Sequence, residues 1–290
     1  MMITAKLVNE LRSATGAGMM DCKKALVETN GDFDEAVEYL RKKGIAKAQK
    51  KADRIAAEGL ANVYIKDNVA AIVEVNSETD FVSKNENFKS LVDEIGNAIL
   101  TSGAKTLEEA LKASTSEGTV EELIIAKTAT IGEKLSLRRI EVLTKNDDEV
   151  FGSYIHMGGK IAVLTLVKGA NEDVARDVAM QAAAMKPEYL SEDKVPAERV
   201  EKEKSVLIEQ AMAEGKPQEI AEKMVAGRLK KFFKEICLLD QAFIKDGDID
   251  VKTYVKNNGG EVLEMVRYEV GEGMEHRSEN FADEVMSQLK

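Results

Sequence analysis

The residue types that most often carry acid–base, nucleophilic or metal chemistry are scarce in this sequence. Its 290 residues include two histidines, His156 and His276, and two cysteines, Cys22 and Cys237. The histidines lie far apart and form no HExxH motif, and nothing in the sequence supports a Ser/His/Asp triad. The cysteines form no CxxC pair, which argues against a thiolate metal site or a disulfide framework and is typical of a reducing compartment. We therefore expect a protein without a metal ion or a cofactor.

Two glycine–lysine pairs resemble part of a phosphate-binding loop without completing one. A P-loop needs Gly-Lys followed by Ser or Thr, whereas this chain has GKI at 159–161 and GKP at 215–217. TGAG at 15–18 supplies half of a GxGxxG motif, without a third glycine and without a preceding strand. We expect no direct nucleotide binding, and the sequence predicts a protein that is not an enzyme.

At three places in the sequence, residues suited to contact with another protein occur where a helix or strand does not require them. Met19 and Met20 stand in the segment GAGMMD, where exposed methionines would form an adaptable contact surface; alternatively, one of them fills the core of a small bundle. Thr79–Val82 follows a predicted strand and presents an acid beside Phe81, which suits insertion into a partner, although Phe81 fits a core position equally well. His156 is the third candidate, with a solvated turn residue as the alternative.

The first 54 residues predict a bundle of three short helices. The predicted N-cap residues are Thr4, Asp21 and Asp32. The predicted stops are Gly16, Asn30-Gly31 and Gly44. The segment RKKGIAKAQKKADR at 41–54 then holds seven Lys/Arg and one Asp. It is interpreted either as a solvated linker helix or as an electrostatic contact with an acidic partner.

Two segments, 60–76 and 152–168, have the pattern of β-hairpins and resemble each other. Tyr64-Ile65 matches Tyr154-Ile155, and Ala71 matches Ile161 if the second turn carries two more residues. Each hairpin is followed by helices and then by a lone strand, LRRIEVL in the first case and MVRYEVG in the second. We expect a duplicated unit of hairpin, helices and strand, with coincidence among short strands as the alternative.

The remaining helices are predicted from capping and periodicity. Capping boxes are predicted at Ser83/Glu86, Thr106/Glu109 and Thr119/Glu122, and a further N-cap at Asn171. Residues 196–239 predict an antiparallel helical hairpin whose narrow apolar seam contains Val200, Leu207, Ala211, Ile220 and Met224. A last amphipathic helix after Ser278 carries Phe281, Val285 and Leu289.

Composition excludes several broad classes of function. The formal net charge of −11 argues against nonspecific binding to nucleic acid or to an anionic membrane surface. No window approaches the roughly 18 consecutive apolar residues of a membrane span, and the N-terminal segment MMITAKLVNELR lacks the apolar stretch of a signal peptide. We expect a cytoplasmic protein that binds neither nucleic acid nor membranes.

Five sequence blocks together resemble the bacterial-type translation elongation factor Ts family. They are LVNELRSATGAGMMDCKKAL, EVNSETDFVSKNENF, GSYIHMGGKIAVL, KPQEIAEKMVAGRLKKF and RYEVGEGME. The blocks follow the family's order over essentially the whole chain, and RxxTGAGMMDCKKAL together with TDFV is highly specific. The resemblance implies a guanine-nucleotide exchange factor for elongation factor Tu, which it would bind in the GDP-bound and nucleotide-free forms.

The resemblance also implies an α+β fold and a division of the chain. The implied units are a ubiquitin-associated-like three-helix module at 1–54, a core subdomain at 55–144, and a related core subdomain at 145–186 and 229–270. An antiparallel coiled-coil hairpin at 187–228 would be inserted in the second subdomain. A C-terminal helical module would span 271–290.

Functional residues are implied only where this sequence matches the family's motifs. The segment associated with dislodging the magnesium ion from the partner's nucleotide site corresponds to Thr79, Asp80, Phe81 and Val82. The contact of the N-terminal module with the partner's GTPase domain corresponds to Arg12, Met19 and Met20. A contact near the partner's phosphate-binding loop corresponds to His156, which is followed here by MGG, so the shape of this turn stays open.

The rival interpretation is a non-catalytic protein-binding scaffold that holds a partner without accelerating nucleotide release. The sequence also leaves the oligomeric state open, including a homodimer within the complex. It does not settle the role of the helical hairpin, a bridge at Cys237, or a contact of residues 41–54 with the partner.

Overall fold

The described part of the chain combines helices with antiparallel sheets, which confirms the α+β class. The computed structural model describes residues 3–275. The helices are α1 (Ala5–Thr15), α2 (Met19–Glu28), α3 (Phe33–Gln49), α4 (Asp80–Ser83), α5 (Glu86–Ser102), α6 (Leu107–Leu111), α7 (Val120–Ile131), α8 (Glu172–Met185), α9 (Ala197–Ala213), α10 (Gln218–Ile236) and α11 (Val251–Asn257). The strands are β1 (Glu58–Lys66), β2 (Val69–Ser77), β3 (Ser114–Thr115), β4 (Gly118–Thr119), β5 (Ser136–Thr144), β6 (Glu149–His156), β7 (Ile161–Lys168), β8 (Ala242–Phe243), β9 (Asp246–Asp250) and β10 (Glu261–Glu269). Short 3-10 helices cover Glu192–Lys194 and Leu238–Asp240.

Many helices begin where local capping chemistry places them. Thr4 caps α1 and Asp32 caps α3, as predicted, each through a side-chain oxygen that accepts a backbone N–H. Capping boxes start α6 and α7, and Asn171 caps α8, which confirms three further predictions. These signals were readable from the sequence because both partners of each bond lie within three residues of each other.

The predicted start of α2 at Asp21 is wrong. The helix begins at Met19, with Gly18 as its N-cap residue in an extended conformation. The Asp21 carboxylate instead lies 2.6 Å from Lys43 Nζ and 2.9 Å from Lys47 Nζ on α3. Both methionines are therefore residues of the first helical turn and not of a loop.

The predicted stop of α3 at Gly44 is also wrong, because the helix runs on to Gln49. Gly44 is buried where α3 crosses α7, and a Cβ at this position would lie 3.4 Å from the Cβ of Ala129. The glycine permits a close approach of two helices and does not end one. Tertiary packing here overrides a local breaker signal.

The first large sheet has the strand order β1-β2-β5, with all neighbours antiparallel. Its central strand β2 is buried on both faces, since alternate side chains of a strand point to opposite sides. Ala71 and Val73 belong to a core shared with α5, α6 and α7, whereas Ala70 and Ile72 pack towards the second sheet. One face of this sheet is thus covered by helices and the other by strands.

The second large sheet has the order β10-β7-β6 and the same layering. Val163 and Val167 of its central strand pack against α8 and its neighbours, while Ala162 and Leu164 face the first sheet. The two sheets therefore stack face to face between outer helices. This stacking decides which loops of one sheet meet the other.

The two hairpins differ at their turns. The β1–β2 turn contains residues 67–68, whereas the β6–β7 turn contains residues 157–160, two residues more, as predicted. Tyr64 pairs with Ala71 and Tyr154 pairs with Val163, so Ala71 corresponds to Val163. The predicted match of Ala71 with Ile161 is wrong by two positions.

A buried glutamate on β2 ties the sheets and the C-terminal segment together. Glu74 is fully buried and accepts hydrogen bonds from Arg138 at 2.9 Å, Arg139 at 2.6 Å and the Gly271 N–H at 2.9 Å. Burial alone would raise the pKa of Glu74, but the Gly271 N–H and the two guanidinium groups outweigh it, so this pKa lies below its ordinary value.

Helices α9 and α10 pack on each other as a hairpin. Their buried seam contains Leu207, Ala211, Ala221 and Val225. Ile220 was predicted in this seam, but it is 48% exposed because the adjacent Ala221 takes the inward position. At its far end α10 returns to a small core, where the buried residues are Val195, Ile236 and Cys237.

The predicted helix after Ser278 lies outside the described residues, and so do His276, Phe281, Val285 and Leu289. The last described residues, 271–275, form a turn after β10. Among residues 3–275, no helix combines the length and the apolar character needed to span a membrane.

Candidate functional site

Thr79–Val82 forms part of a single helical turn directly after β2. This turn begins there because the Thr79 hydroxyl accepts a hydrogen bond from Val82 N at 3.4 Å. Val82 packs against the core of the first sheet and Ser83 is buried, so the turn is held from inside. Phe81 lies on the opposite side and is 81% exposed. The alternative that Phe81 fills a core position is therefore wrong.

This turn was not predicted from the sequence, and the start of the next helix was predicted at the wrong residue. α5 begins at Glu86, and its N-cap is Asn85, whose side-chain oxygen accepts from Asn87 N at 2.8 Å. Ser83 is instead the last residue of α4, and its hydroxyl donates to the Asp80 carbonyl at 2.9 Å. The capping box predicted at Ser83/Glu86 is wrong because Asn85 offers a closer capping oxygen.

A carboxylate from a distant part of the chain holds the start of this turn. Glu133 lies in the connection between α7 and β5, and one of its oxygens accepts from Glu78 N at 3.1 Å and Thr79 N at 3.0 Å. Its other oxygen accepts a hydrogen bond from the Thr79 hydroxyl at 2.6 Å. The first backbone N–H groups beyond β2 thereby gain a partner that neither strand nor helix supplies.

A second bond joins the same two segments, with the donor and the acceptor exchanged between them. The Glu78 side chain is 4% exposed and accepts from Lys134 N at 2.6 Å. Arg54, in the segment that leads into β1, lies 3.2 Å from the same carboxylate. We call this arrangement of Glu78, Thr79, Glu133 and Lys134 the reciprocal clamp. Sequence reasoning missed it, since no local motif links residues 78–79 with 133–134.

Asp80 places a negative charge beside Phe81. Its carboxylate lies 2.7 Å from Lys84 Nζ, one helical turn away. The hydrogen bond from Lys84 holds the pKa of Asp80 below its ordinary value, and the charge of Lys160 acts in the same direction. Asp80 is therefore ionised at neutral pH, and its side chain is about half exposed.

The turn between β6 and β7 presents a second exposed group of side chains. His156 is the last residue of β6 and is exposed, with its ring stacked on Tyr154 at a centroid distance of 6.0 Å. Met157 follows with a φ of 49° and is 71% exposed. An exposed histidine next to an exposed methionine is suited to contact with another protein.

This turn is fixed against the first sheet at the edge that carries Phe81. Gly159 accepts from Ala61 N at 2.7 Å, and Lys160 forms an ion pair with Glu58. Glu58 is paired with Ser77, the last residue of β2 before the reciprocal clamp. The sheet stacking therefore brings the Phe81 turn and the His156 turn, far apart in the sequence, to one edge.

Arg12, Met19 and Met20 form a separate exposed surface on α1 and α2. Met19 is 51% exposed and Met20 75%, and Arg12 is exposed as well. The core of this three-helix bundle is made by other residues, namely Val8, Leu11, Cys22, Ala25, Leu26 and Ala36. The alternative that one methionine fills the core of the bundle is therefore wrong.

The basic run at 41–54 largely makes contacts within the chain. Lys43 and Lys47 bind Asp21, Arg41 pairs with Glu122 on α7, and Lys51 donates to the Gly132 carbonyl. These contacts dock the three-helix bundle on α7 beside a cleft of about 400 Å³. The segment is thus mainly the second half of α3 and its connection to the core.

A comparison with known protein families identifies the family of this chain. The family model described as Elongation factor TS matches residues 78–272, more than half of the chain. The chain belongs to the elongation factor Ts family. Its family is that of the nucleotide-exchange factors of elongation factor Tu in translation elongation. The matched residues include the Phe81 turn, both halves of the reciprocal clamp and the His156 turn, whereas the bundle with Arg12, Met19 and Met20 lies before them.

Within residues 3–275, no three His, Cys, Asp or Glu side chains are grouped in a way that could hold a metal ion. Cys22 and Cys237 are both free and buried. Burial raises the pKa of the Cys237 thiol to about 12, so this thiol is protonated at neutral pH.

Proposed function

We propose that this chain promotes GDP release from elongation factor Tu by inserting Phe81 as an apolar wedge beside the partner's magnesium site. The observation that carries the proposal is the contrast in exposure within α4. Phe81 is 81% exposed, whereas Val82 and Ser83 on the same turn pack inwards. A large aromatic side chain held out into solvent by a buried turn suits insertion into a protein partner.

The neighbouring groups have supporting roles in this proposal. Asp80 is ionised and perturbs the partner's magnesium shell through its negative charge, while Thr79 and Val82 keep the turn in place. His156 acts from the adjacent turn, near the partner's phosphate-binding loop. Its position at the same edge as Phe81 supports a joint action of the two turns on one nucleotide site.

The three-helix bundle supplies affinity away from the wedge. Arg12, Met19 and Met20 anchor the partner's GTPase domain, because exposed methionines adapt to an apolar surface and the guanidinium can pair with an acid. The bundle at 1–54, the core subdomains at 55–144 and at 145–186 with 229–270, and the hairpin at 187–228 are the working units. A homodimer within the complex is compatible with this scheme.

The mechanism needs binding energy and no catalytic side chain. A GTPase holds its nucleotide through phosphate contacts and a magnesium ion, so a factor that binds better to the nucleotide-free form accelerates release. By linkage, the nucleotide weakens the binding of the factor by the same ratio, so GTP ejects it. A thousandfold change corresponds to about 4 kcal/mol. Burial of one aromatic side chain contributes about 1.5–3 kcal/mol of this, and lost metal contacts supply the rest.

The decisive experiment is stopped-flow release of labelled GDP from elongation factor Tu. Catalytic amounts of the wild-type chain should accelerate release, and Phe81→Ala should slow the maximal rate strongly. Ile244→Ala removes another exposed apolar side chain, 42% exposed, and should leave the rate unchanged. Because Phe81 packs against no core, the thermal unfolding midpoint of Phe81→Ala should stay close to wild type.

Two outcomes would contradict the proposal. Stable co-elution with elongation factor Tu without faster GDP release would favour the scaffold interpretation. An unchanged release rate in Phe81→Ala would show that the wedge lies elsewhere on the surface.

A further inference from the structure

The exposed position of Phe81 raises the question of what fixes its direction. α4 is four residues long, and an isolated helix of this length is not stable. The Phe81 ring itself makes no core contact that would orient it. The backbone of this turn must therefore be ordered by its two inward-facing residues, Val82 and Ser83, and by its N-cap residue Thr79.

Glu133 controls that N-terminal end through a hydroxyl group. The Thr79 hydroxyl donates a hydrogen bond to the Glu133 carboxylate at 2.6 Å. At the same time its oxygen accepts a hydrogen bond from Val82 N at 3.4 Å. A hydroxyl has one proton, so the bond to Glu133 turns a lone pair of the Thr79 oxygen towards the helix. Glu133 thereby selects the orientation in which Thr79 can cap α4.

The backbone bonds of Glu133 add to this effect. Its carboxylate also accepts from Glu78 N and Thr79 N, and charge-assisted bonds of this kind are stronger than bonds between neutral groups. The return bond from Lys134 N to Glu78 prevents the two segments from sliding past each other. Together these bonds fix the exit of the chain from β2 and hence the direction in which Phe81 projects.

We propose that Glu133 is a positioning residue for nucleotide exchange, acting through Thr79 to hold the Phe81 wedge in its inserting direction before the partner binds. The inference rests on the proposed function. Preorganisation lowers the entropy lost when a group is immobilised on binding, so its loss weakens the step in which the wedge acts. The anchoring surface of Arg12, Met19 and Met20 lies on other elements and is left intact.

The first test separates the maximal exchange rate from the apparent affinity. Glu133→Ala should lower the kcat of exchange about tenfold, equivalent to about 1.4 kcal/mol, while KM for elongation factor Tu changes less than about twofold. Glu133→Gln keeps one acceptor oxygen and should fall between Ala and wild type. Glu109→Ala is the matched control, because Glu109 also accepts two backbone N–H groups at a helix start, but on α6.

The second test substitutes Thr79, the residue through which Glu133 is proposed to act. Thr79→Ser keeps the hydroxyl and should retain near-wild-type kcat. Thr79→Val should lower kcat, but less than Glu133→Ala does, because Glu133 keeps its bonds to the backbone of residues 78 and 79. The double variant should lose little more than Glu133→Ala alone, since both substitutions remove the bond between Glu133 and the Thr79 hydroxyl. Additive losses would show that Glu133 does not act through Thr79.

The third test measures the order of the wedge directly. The chain contains no tryptophan, so Phe81→Trp introduces a unique fluorophore at the tip. Its steady-state anisotropy should fall when Glu133→Ala is added and should stay unchanged with Glu109→Ala. An unchanged anisotropy together with wild-type kcat in Glu133→Ala would overturn the positioning role. If Phe81→Ala itself leaves GDP release unchanged, the proposed function fails instead, so the two failures are distinguishable.

Discussion

The two hairpin units of the core expose their proposed contact residues at opposite ends of the same motif. In the unit of β1 and β2 the turn is two residues long, and the exposed Phe81 follows the second strand. In the unit of β6 and β7 the turn is four residues long and carries His156 and Met157, while the second strand leads into α8 through Asn171. Stacking of the two sheets brings these different ends to one edge.

The two ends are also stabilised by different means. The Phe81 turn depends on hydrogen bonds to the Glu133 carboxylate, whereas the His156 turn depends on close backbone packing of Gly159 and on the Lys160–Glu58 ion pair. One end is thus held by a single carboxylate that binds its backbone, and the other by close backbone packing together with an ion pair.

The largest effect is expected where the two units are joined. Glu74 is bonded to Arg138, Arg139 and the Gly271 N–H, so Glu74→Ala takes the shared acceptor away from two half-buried guanidinium groups and a backbone N–H. It should cost about 3 kcal/mol of the free energy of unfolding. Glu149 is the buried glutamate of the other unit, but its bonds are local, to Asn146. Glu149→Ala should cost about 1–2 kcal/mol in the same urea titration. Equal losses would contradict a joining role for Glu74.

The next effect concerns the shape of the His156 turn. Gly159 has a φ of 98°, and an added Cβ would lie 2.8 Å from Leu60 and 3.3 Å from the Ala61 carbonyl. Gly158 has a φ of 63° and open space around it. Gly159→Ala should therefore cost about 2–3 kcal/mol, and Gly158→Ala about 1 kcal/mol, from the backbone alone. If thermal unfolding shows the same loss in both variants, packing of this turn on β1 does not contribute.

The third prediction concerns pH. The pKa of Glu74 in the folded chain lies below its ordinary value of 4.5, so the ionised form is favoured by folding. The resulting stability is fully present above pH 4.5 and is lost as the pH falls from there through the folded pKa. Unfolding midpoints measured between neutral and acid pH should fall more steeply for wild type than for Glu74→Gln. Parallel curves would contradict this assignment.

The smallest effect on stability is expected at His156. Its side chain is exposed at the end of β6, so His156→Ala should change the free energy of unfolding by less than about 0.5 kcal/mol. The same variant should slow GDP release from elongation factor Tu, less than Phe81→Ala does. A normal release rate in His156→Ala would show that the Phe81 turn promotes GDP release without the His156 side chain.

The sequence predicted much of the fold but little of the site's construction. Both hairpins, the lone strands and the caps at Thr106, Thr119 and Asn171 were predicted, since strand pairing through short turns and helix capping both depend on neighbouring residues. The turn at Asp80–Ser83 and the exposure of Phe81 were not decided by any local pattern. A large aromatic residue after a strand fits a core or a surface position equally well until its neighbours are known.

By itself the sequence determined the scarcity of catalytic and metal-binding residue types, the alternation of strands and helices, and membership of the elongation factor Ts family. The tertiary structure decided which side chains face outwards and what holds them. Glu133 reaches Thr79 across 54 positions of the chain, and the His156 turn meets β1 from another sheet. Such contacts arise only when sheets stack and helices pack, because their partners share no local backbone geometry from which they could be read.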